Sequence, residues 1–183
     1  MTESGEIYSW GNGQGGRLGH GDSIGQNVPE KIRFLQGSKI IDIVCGDQHS
    51  GCINEHGQVY VWGVGLNGRL GLDKASNHEL PKIVSEFNQD PCSRLFFGMN
   101  TSFAITKSSE LYVWGSGQYG KCGLPQTIGQ QILVPRKLFT LSTKRIAEFS
   151  AGPFHTLALT CDGFIYAFGN SKDGKLGVKM AEQ

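Results

Sequence analysis

Apolar residues in this chain come in short bursts, and none keeps a helical period. Ile40-Ile41-Asp42-Ile43-Val44, Val59-Tyr60-Val61-Trp62 and Leu111-Tyr112-Val113-Trp114 are rich in β-branched and aromatic residues. Each burst is bounded by Gly, Pro, Asn or Asp, the residues that end strands and make turns. The pattern predicts four short strands in the first full unit, over 28–34, 39–45, 50–54 and 58–63. A turn at Glu55-His56-Gly57 joins the last two, and Asp162-Gly163 marks the same hairpin further on. No segment combines apolar residues at i, i+3 and i+4 with helix caps.

The strand pattern recurs. Tyr8-Ser9-Trp10-Gly11 returns as Tyr60-Val61-Trp62-Gly63, Tyr112-Val113-Trp114-Gly115 and Tyr166-Ala167-Phe168-Gly169, at steps of 52, 52 and 54 residues. In the same register run Gly16-Arg17-Leu18-Gly19, Gly68-Arg69-Leu70-Gly71, Gly120-Lys121-Cys122-Gly123 and Gly174-Lys175-Leu176-Gly177. A proline follows at Pro29, Pro81 and Pro135, and a Gly-x-x-His-like turn starts at Gly46, Gly98 and Gly152. Four strands per unit at a fixed period near fifty is the pattern of a propeller blade, which buries its faces only by stacking on its neighbours. The expected fold is therefore all-β: a β-propeller of four-stranded antiparallel blades, with repeats at about 8–59, 60–111 and 112–165 and a fourth starting over 166–183. Grouping strands in chain order gives three complete blades, 28–63, 80–115 and 134–169, after an opening strand at 6–10. Trp10, Trp62, Trp114 and Phe168 are expected in equivalent, largely buried positions. Three blades leave two uncovered apolar ends, which favour self-association or completion by further blades.

Composition narrows the function. Glycine is high, 27 of 183, and its recurrence at fixed offsets fits many tight turns. Net charge is +1, which supplies no general field for nucleic acid or an acidic membrane. No run approaches membrane-spanning length, and Met1 to Glu6 has no signal-peptide character. Five cysteines with no Cys-x-x-Cys pair argue against a disulfide framework or structural zinc, and fit a reducing cytoplasmic or nuclear setting.

The combined markers resemble the regulator of chromosome condensation repeat: an aromatic-Trp-Gly, then Gly-x-Leu-Gly, then Cys-Gly-x-x-His-Ser. Cys45-Gly46-Asp47-Gln48-His49-Ser50 matches the last element in full, and the resemblance runs from about Gly5 to Gly177. It implies part of a seven-bladed ring and a stiff platform for proteins, as in a plant ultraviolet photoreceptor, ubiquitin ligases and kinase regulatory domains. It also implies an alternative, guanine nucleotide exchange on a Ran-like small GTPase, the activity of the family's founding member. That member carries a β-hairpin wedge. Here the proline comes only ten, ten and twelve positions after Gly-x-Leu-Gly, with no room for one in these blades. The photoreceptor has tryptophan inside its Gly-x-x-His elements, where this chain has Asp47-Gln48, Met99-Asn100 and Pro153-Phe154.

Several motifs imitate chemistry. Gly11 to Gly16, Gly63 to Gly68 and Gly115 to Gly120 each fit G-x-G-x-x-G, but a polar loop with proline follows instead of a helix, so the motif reads as a structural turn. His49 and His155 are turn histidines expected to hydrogen-bond nearby backbone. Arg17, Arg69, Lys121 and Lys175 read as solvated loop positions, with a basic arc as the rival reading. No nucleophile-base pair, paired carboxylates or metal-ligand spacing is present, so no enzymatic activity, cofactor or metal is expected. The candidate surface is one end of the blades. There Asp47, Gln48, Met99, Asn100 and Phe154 of the turns join Gln14, Asn67 and Tyr119 of the loops. Their side chains vary while the flanking glycines stay fixed, and Phe154 and Tyr119 are the expected anchors for a protein partner.

Overall fold

The computed structural model describes residues 1–178. Their regular structure consists of thirteen β-strands and short 3₁₀ turns. No helix among them is long and apolar enough to cross a membrane.

Two four-stranded antiparallel sheets form the centre. The first runs β3 (Ile40–Cys45), β4 (His49–Asn54), β5 (Val59–Gly63), β6 (His78–Ile83). The second runs β7 (Cys92–Phe97), β8 (Thr101–Thr106), β9 (Leu111–Ser116), β10 (Gln131–Lys137). Before them, β1 (Tyr8–Gly11) pairs with β2 (Gln26–Lys31); after them, β11 (Ile146–Ala151), β12 (His155–Thr160) and β13 (Ile165–Gly169) make a three-stranded sheet.

The strands fall close to where the pattern puts them, but the grouping differs from chain order. Each proline-bearing strand pairs back onto the strand before its loop, with Tyr60 opposite Ile83 and Tyr112 opposite Lys137. The chain changes sheet only afterwards, through the 3₁₀ turns Arg33–Leu35, Ser85–Asn88 and Phe139–Leu141, which plant Leu35, Phe87 and Leu141 in the core. Instead of three complete blades at 28–63, 80–115 and 134–169, the chain forms two complete sheets flanked by two partial ones. The fourth strand is held by backbone hydrogen bonds across an open loop, a pairing that periodicity does not report. For repeat 166–183, residues 179–183 lie outside the described part.

Adjacent sheets stack face to face. Val59 and Val61 of β5 point toward the sheet that follows, while Tyr60 and Trp62 point toward the one before. Both faces are therefore apolar, and in β8 and β9 every residue is buried. One cluster, with Ile7, Ile32, Leu35, Ile40, Cys52 and Trp62, joins the first partial sheet to the first complete one. A larger cluster runs on through the remaining joints, where Phe103 stacks on Phe149 at 4.5 Å.

The candidate interaction surface at the loop end

A short aromatic strand ending in glycine delivers each loop to the same end of its sheet. Gly63 lies opposite His49, so the loop after β5 starts beside the turn between β3 and β4. Backbone bonds lock them together: Val64 N–H donates to the Gln48 carbonyl, Ser116 to Asn100 and Asn170 to Phe154, at 2.9, 2.8 and 2.9 Å. The turn and loop residues picked out above therefore do share one end. The turn is that between the first and second strands of each sheet, not the second and third, because the sheets begin one strand later than chain order suggests.

Each loop opens on a 3₁₀ turn of three residues whose middle member is left-handed: Gly15 at φ 72°, Asn67 at 62°, Tyr119 at 60° and Asp173 at 59°. The first three of these turns are the G-x-G-x-x-G matches, and three residues of 3₁₀ provide no helix N-terminus for a pyrophosphate. Glycine and asparagine adopt this conformation easily, whereas a tyrosine in it is strained by roughly 1 kcal/mol. Tyr119 accepts that conformation and sets its ring edge-on to Phe154, 5.7 Å between centroids at 79°. Both rings stay about half exposed, at 46% and 44%. The two expected anchors thus form a single aromatic pair across a joint between sheets. Met99, Asp47 and Gln14 are exposed nearby on the same rim, and Gln48, Asn67 and Asn100 are half-buried. The Asn100 Oδ1 is buried with no partner. Sequence reasoning missed Leu66, an exposed leucine that opens its loop where Gln14 and Gln118 open theirs. Its position in the repeat was the available signal.

Beneath this rim the in-register cations are structural. Arg69 and Lys121 are buried, not solvated. Arg69 Nη1 donates to the Met99 carbonyl at 3.0 Å and Lys121 Nζ to the Pro153 carbonyl at 2.8 Å, so each cation holds the turn of the next sheet. Burial pushes both pKa values down, with Asp47 partly restoring that of Arg69. Arg17 and Lys175, in the outer repeats, remain partly exposed. Their carbonyls are used as well. That of Arg17 accepts the Ser50 hydroxyl at 3.0 Å and the Trp62 indole N–H at 3.1 Å. That of Arg69 accepts Ser102 and Trp114, both at 2.8 Å, and that of Lys121 accepts Thr156 at 2.8 Å.

His49 also works across a joint and not on local backbone, contrary to expectation. Its Nε2 meets the Ser102 hydroxyl at 3.0 Å and its ring stacks on Phe97 at 4.3 Å. Ser102 spends its hydrogen on the Arg69 carbonyl, so His49 donates through Nε2–H and leaves Nδ1 without a partner. Burial, aided by Arg69, lowers its pKa to about 3. Among the described residues no group of three or more His, Cys, Asp or Glu could hold a metal ion.

The four aromatic markers divide. Trp62 and Trp114 are buried, Phe168 is half-buried, and Trp10 is 58% exposed, with no sheet stacked over it among the described residues. Burial at this position belongs to the neighbouring sheet, which corrects the expectation of four equal settings.

Successive antiparallel sheets stacked through a repeated turn-and-aromatic joint define a segment of β-propeller. The repeat itself is the regulator of chromosome condensation (RCC1) repeat: the model of that family matches residues 4–53, 56–105 and 108–159, and the chain belongs to the family. A second model of the same repeat matches 40–69 and 146–175. The ultraviolet-B receptor UVR8 of Arabidopsis thaliana is 35% identical over 97% of this chain and 40% of its own length. The mouse E3 ubiquitin-protein ligase HERC2 is 33% identical over 97% of the chain and 4% of its own, and mouse kinase Nek9 32% over 98% and 19%. The chain thus spans well under half the length of these relatives. Among solved structures, yeast RCC1 (Prp20) bound to Kap60 superposes with a TM-score of 0.80 at 26% identity, over 97% of this chain and 43% of that one. Human WBSCR16 shares the fold, with a TM-score of 0.76 at 21% identity over 90% of this chain and 43% of that one.

Proposed function

We propose that this chain is a non-enzymatic platform for a protein partner, part of a larger regulatory protein, and that the partner docks on the loop end. The observation that carries the reading is the Tyr119–Phe154 pair. A tyrosine held in a left-handed turn, edge-on to a half-exposed phenylalanine, is a costly way to fill a loop and a good way to present an anchor. The surrounding tips differ from repeat to repeat on an unchanging glycine frame, which suits selective recognition. Three unpaired buried thiols, Cys52, Cys92 and Cys122, suit a reducing cytoplasm or nucleus.

The test is quantitative affinity purification from native extract, with wild type beside Tyr119→Asn and Phe154→Ala. Asn67 shows that asparagine fits this turn, so Tyr119→Asn keeps the fold. A specific partner should fall at least about tenfold with both variants, in line with a hot-spot loss of 1.4 kcal/mol or more. Partners that survive both changes and depart only when the opposite loops are altered would refute the loop end.

A second reading, exchange activity on a small GTPase, is favoured by the likeness to yeast Prp20, whose structure was reported with its binding properties to Gsp1p and histones, at 26% identity over 96% of this chain. Release of labelled GDP from a Ran-like GTPase separates the two. The platform reading expects no acceleration, and a clear acceleration would replace it.

A further inference from the structure

The turns that lead into β1, β5, β9 and β13 each carry a left-handed residue, three times glycine and once serine. Gly5, Gly57 and Gly163 stand at φ 81°, 80° and 88°, and Ser109 at 68°. Two of these glycines close on the sheet that follows. The Gly5 carbonyl accepts the Ile40 N–H at 3.2 Å, and the Gly57 carbonyl accepts the Cys92 N–H at 2.9 Å. A Cβ built on Gly5 would sit 2.8 Å from the Ile40 nitrogen, and one on Gly57 2.5 Å from Pro91. Ser109 has such a carbon, and among the described residues no hydrogen bond joins its carbonyl to Ile146. The serine therefore strains its turn and keeps it from closing on the next sheet.

That leaves a backbone donor free. Ile146 lies opposite Thr160 as Ile40 lies opposite Asn54 and Cys92 opposite Thr106. The Cys161 N–H donates to the Arg145 carbonyl, so the 146–160 pair is non-hydrogen-bonded and the Ile146 N–H points out of its sheet. Ile146 is 7% exposed, and a buried N–H without an acceptor is rare. Beside it a cleft of about 200 Å³ runs between the Ser109 turn and the segment entering β11. Ser109, Thr143, Lys137, Lys144 and Arg145 line it, and Glu110 is its one carboxylate, held by Lys137 at 3.3 Å. The first joint has a cleft of about 290 Å³ in the same place, around the Lys31–Glu6 pair. There Gly37 and Ser38 stand where Thr143 and Lys144 stand here, and the strand N–H is already spent on Gly5.

We propose that the cleft at Ser109 binds a phosphate monoester. Lys144 and Arg145 supply the charge, Ser109 and Thr143 the hydroxyl donors, and Ile146 a backbone donor, the combination that phosphate oxygens take. Such a group carries roughly −1.5 to −2 charges at pH 7, which suits two cations not engaged by Glu110. The strained serine and the missing closing bond are then features of a binding site, and the first joint shows the same place without one. All of these residues lie within 108–146, at the hairpin end of the sheets and away from the loop rim. The loop-end reading therefore stands or falls separately.

Amide shifts of isotope-labelled protein, titrated at constant ionic strength, test it with two probes: phenyl phosphate and a five-residue glycine peptide with a central phosphoserine. Both should shift the Ser109, Thr143 and Ile146 amides saturably and leave Ile40, at the first joint, in place. Ser109→Gly installs the residue that the other turns use, so it keeps the fold and should close the joint. Its Ile146 amide should exchange with deuterium more slowly, and phosphate affinity should fall at least about tenfold. Arg145→Gln, an exposed change, should weaken binding without slowing that exchange. Tighter binding of the peptide than of phenyl phosphate assigns the ligand to a phosphorylated side chain of another protein, and otherwise to a free phosphate ester. The proposal is overturned by the lack of a saturable shift with either probe, by an equal response to the unphosphorylated peptide, or by an equal response at Ile40. Undiminished affinity or unslowed Ile146 exchange in Ser109→Gly overturns it as well.

Discussion

The sheet over 92–137 and the partial sheet over 146–169 are nearly the same object in sequence and quite different in environment. In the first, the second and third strands are buried on both faces; in the second, Ile165 stands 67% exposed where Leu111 is 4%. Trp114 at 0% and Trp10 at 58% draw the same contrast for one residue type in one strand position. A blade of this kind has no interior of its own. Its core consists of two interfaces, and the adjoining sheet is what excludes water.

The hardest blow to that comparison is a pair of matched truncations. Trp114→Ala should cost about 3–5 kcal/mol, as expected for a fully enclosed ring that leaves a cavity and takes one of the two hydrogen bonds from the Arg69 carbonyl. Trp10→Ala, the same change at the same strand position, should cost less than about 0.5 kcal/mol in the monomer. Urea unfolding of dilute protein measures both, and equal losses would mean that the end sheet has a core the structure does not show.

A smaller difference should separate two glycines. Both Gly71 and Gly177 are left-handed, so alanine carries a backbone penalty of about 1 kcal/mol at each. Only at Gly71 does the methyl meet Trp114 and Pro135, at 3.0 and 3.3 Å, which adds overpacking of about 1–3 kcal/mol. Comparing the two unfolding midpoints isolates the neighbour's share, and a Gly71→Ala no worse than Gly177→Ala would contradict it.

The smallest effect sharpens the role of the joint in acid. His49 stays neutral in the folded state down to about pH 3, whereas in the unfolded chain it takes up a proton near pH 6.5. Below 6.5 the unfolded state binds more protons, so stability falls as pH falls, by about 1.4 kcal/mol per unit between 6.5 and 3. From pH 7 to pH 5 that is about 2 kcal/mol. His49→Gln can keep the hydrogen bond to Ser102 without titrating. Its loss over the same interval should be smaller than wild type by that amount, and parallel pH profiles would exclude His49 as the source.

Much of this was legible in the residues. The register of Tyr60-x-Trp62 and its copies located the strands, and the register of the turns placed Phe154 and Tyr119 at one end, where the structure brings their rings together. What stayed hidden was every property that depends on a second sheet. Nothing near Arg69 in the chain announces the Met99 carbonyl thirty residues away that lets the guanidinium be buried. The exposure of Trp10 could not be read from a motif it shares with Trp62. The shift in sheet boundaries was hidden for a related reason: β6 and β10 are pinned by backbone groups, which every residue but proline carries alike.

That shift has a consequence for inheritance. Each repeat carries the closing half of one blade and the opening half of the next. Remove residues 60–111 and β4 runs directly into β9, so that Val59 is followed by Tyr112 where it was followed by Tyr60. The surviving halves then make one whole sheet. Unequal recombination between neighbouring repeats of such a gene can therefore lengthen or shorten the ring only by whole blades, and no product of it would carry a torn sheet at the splice.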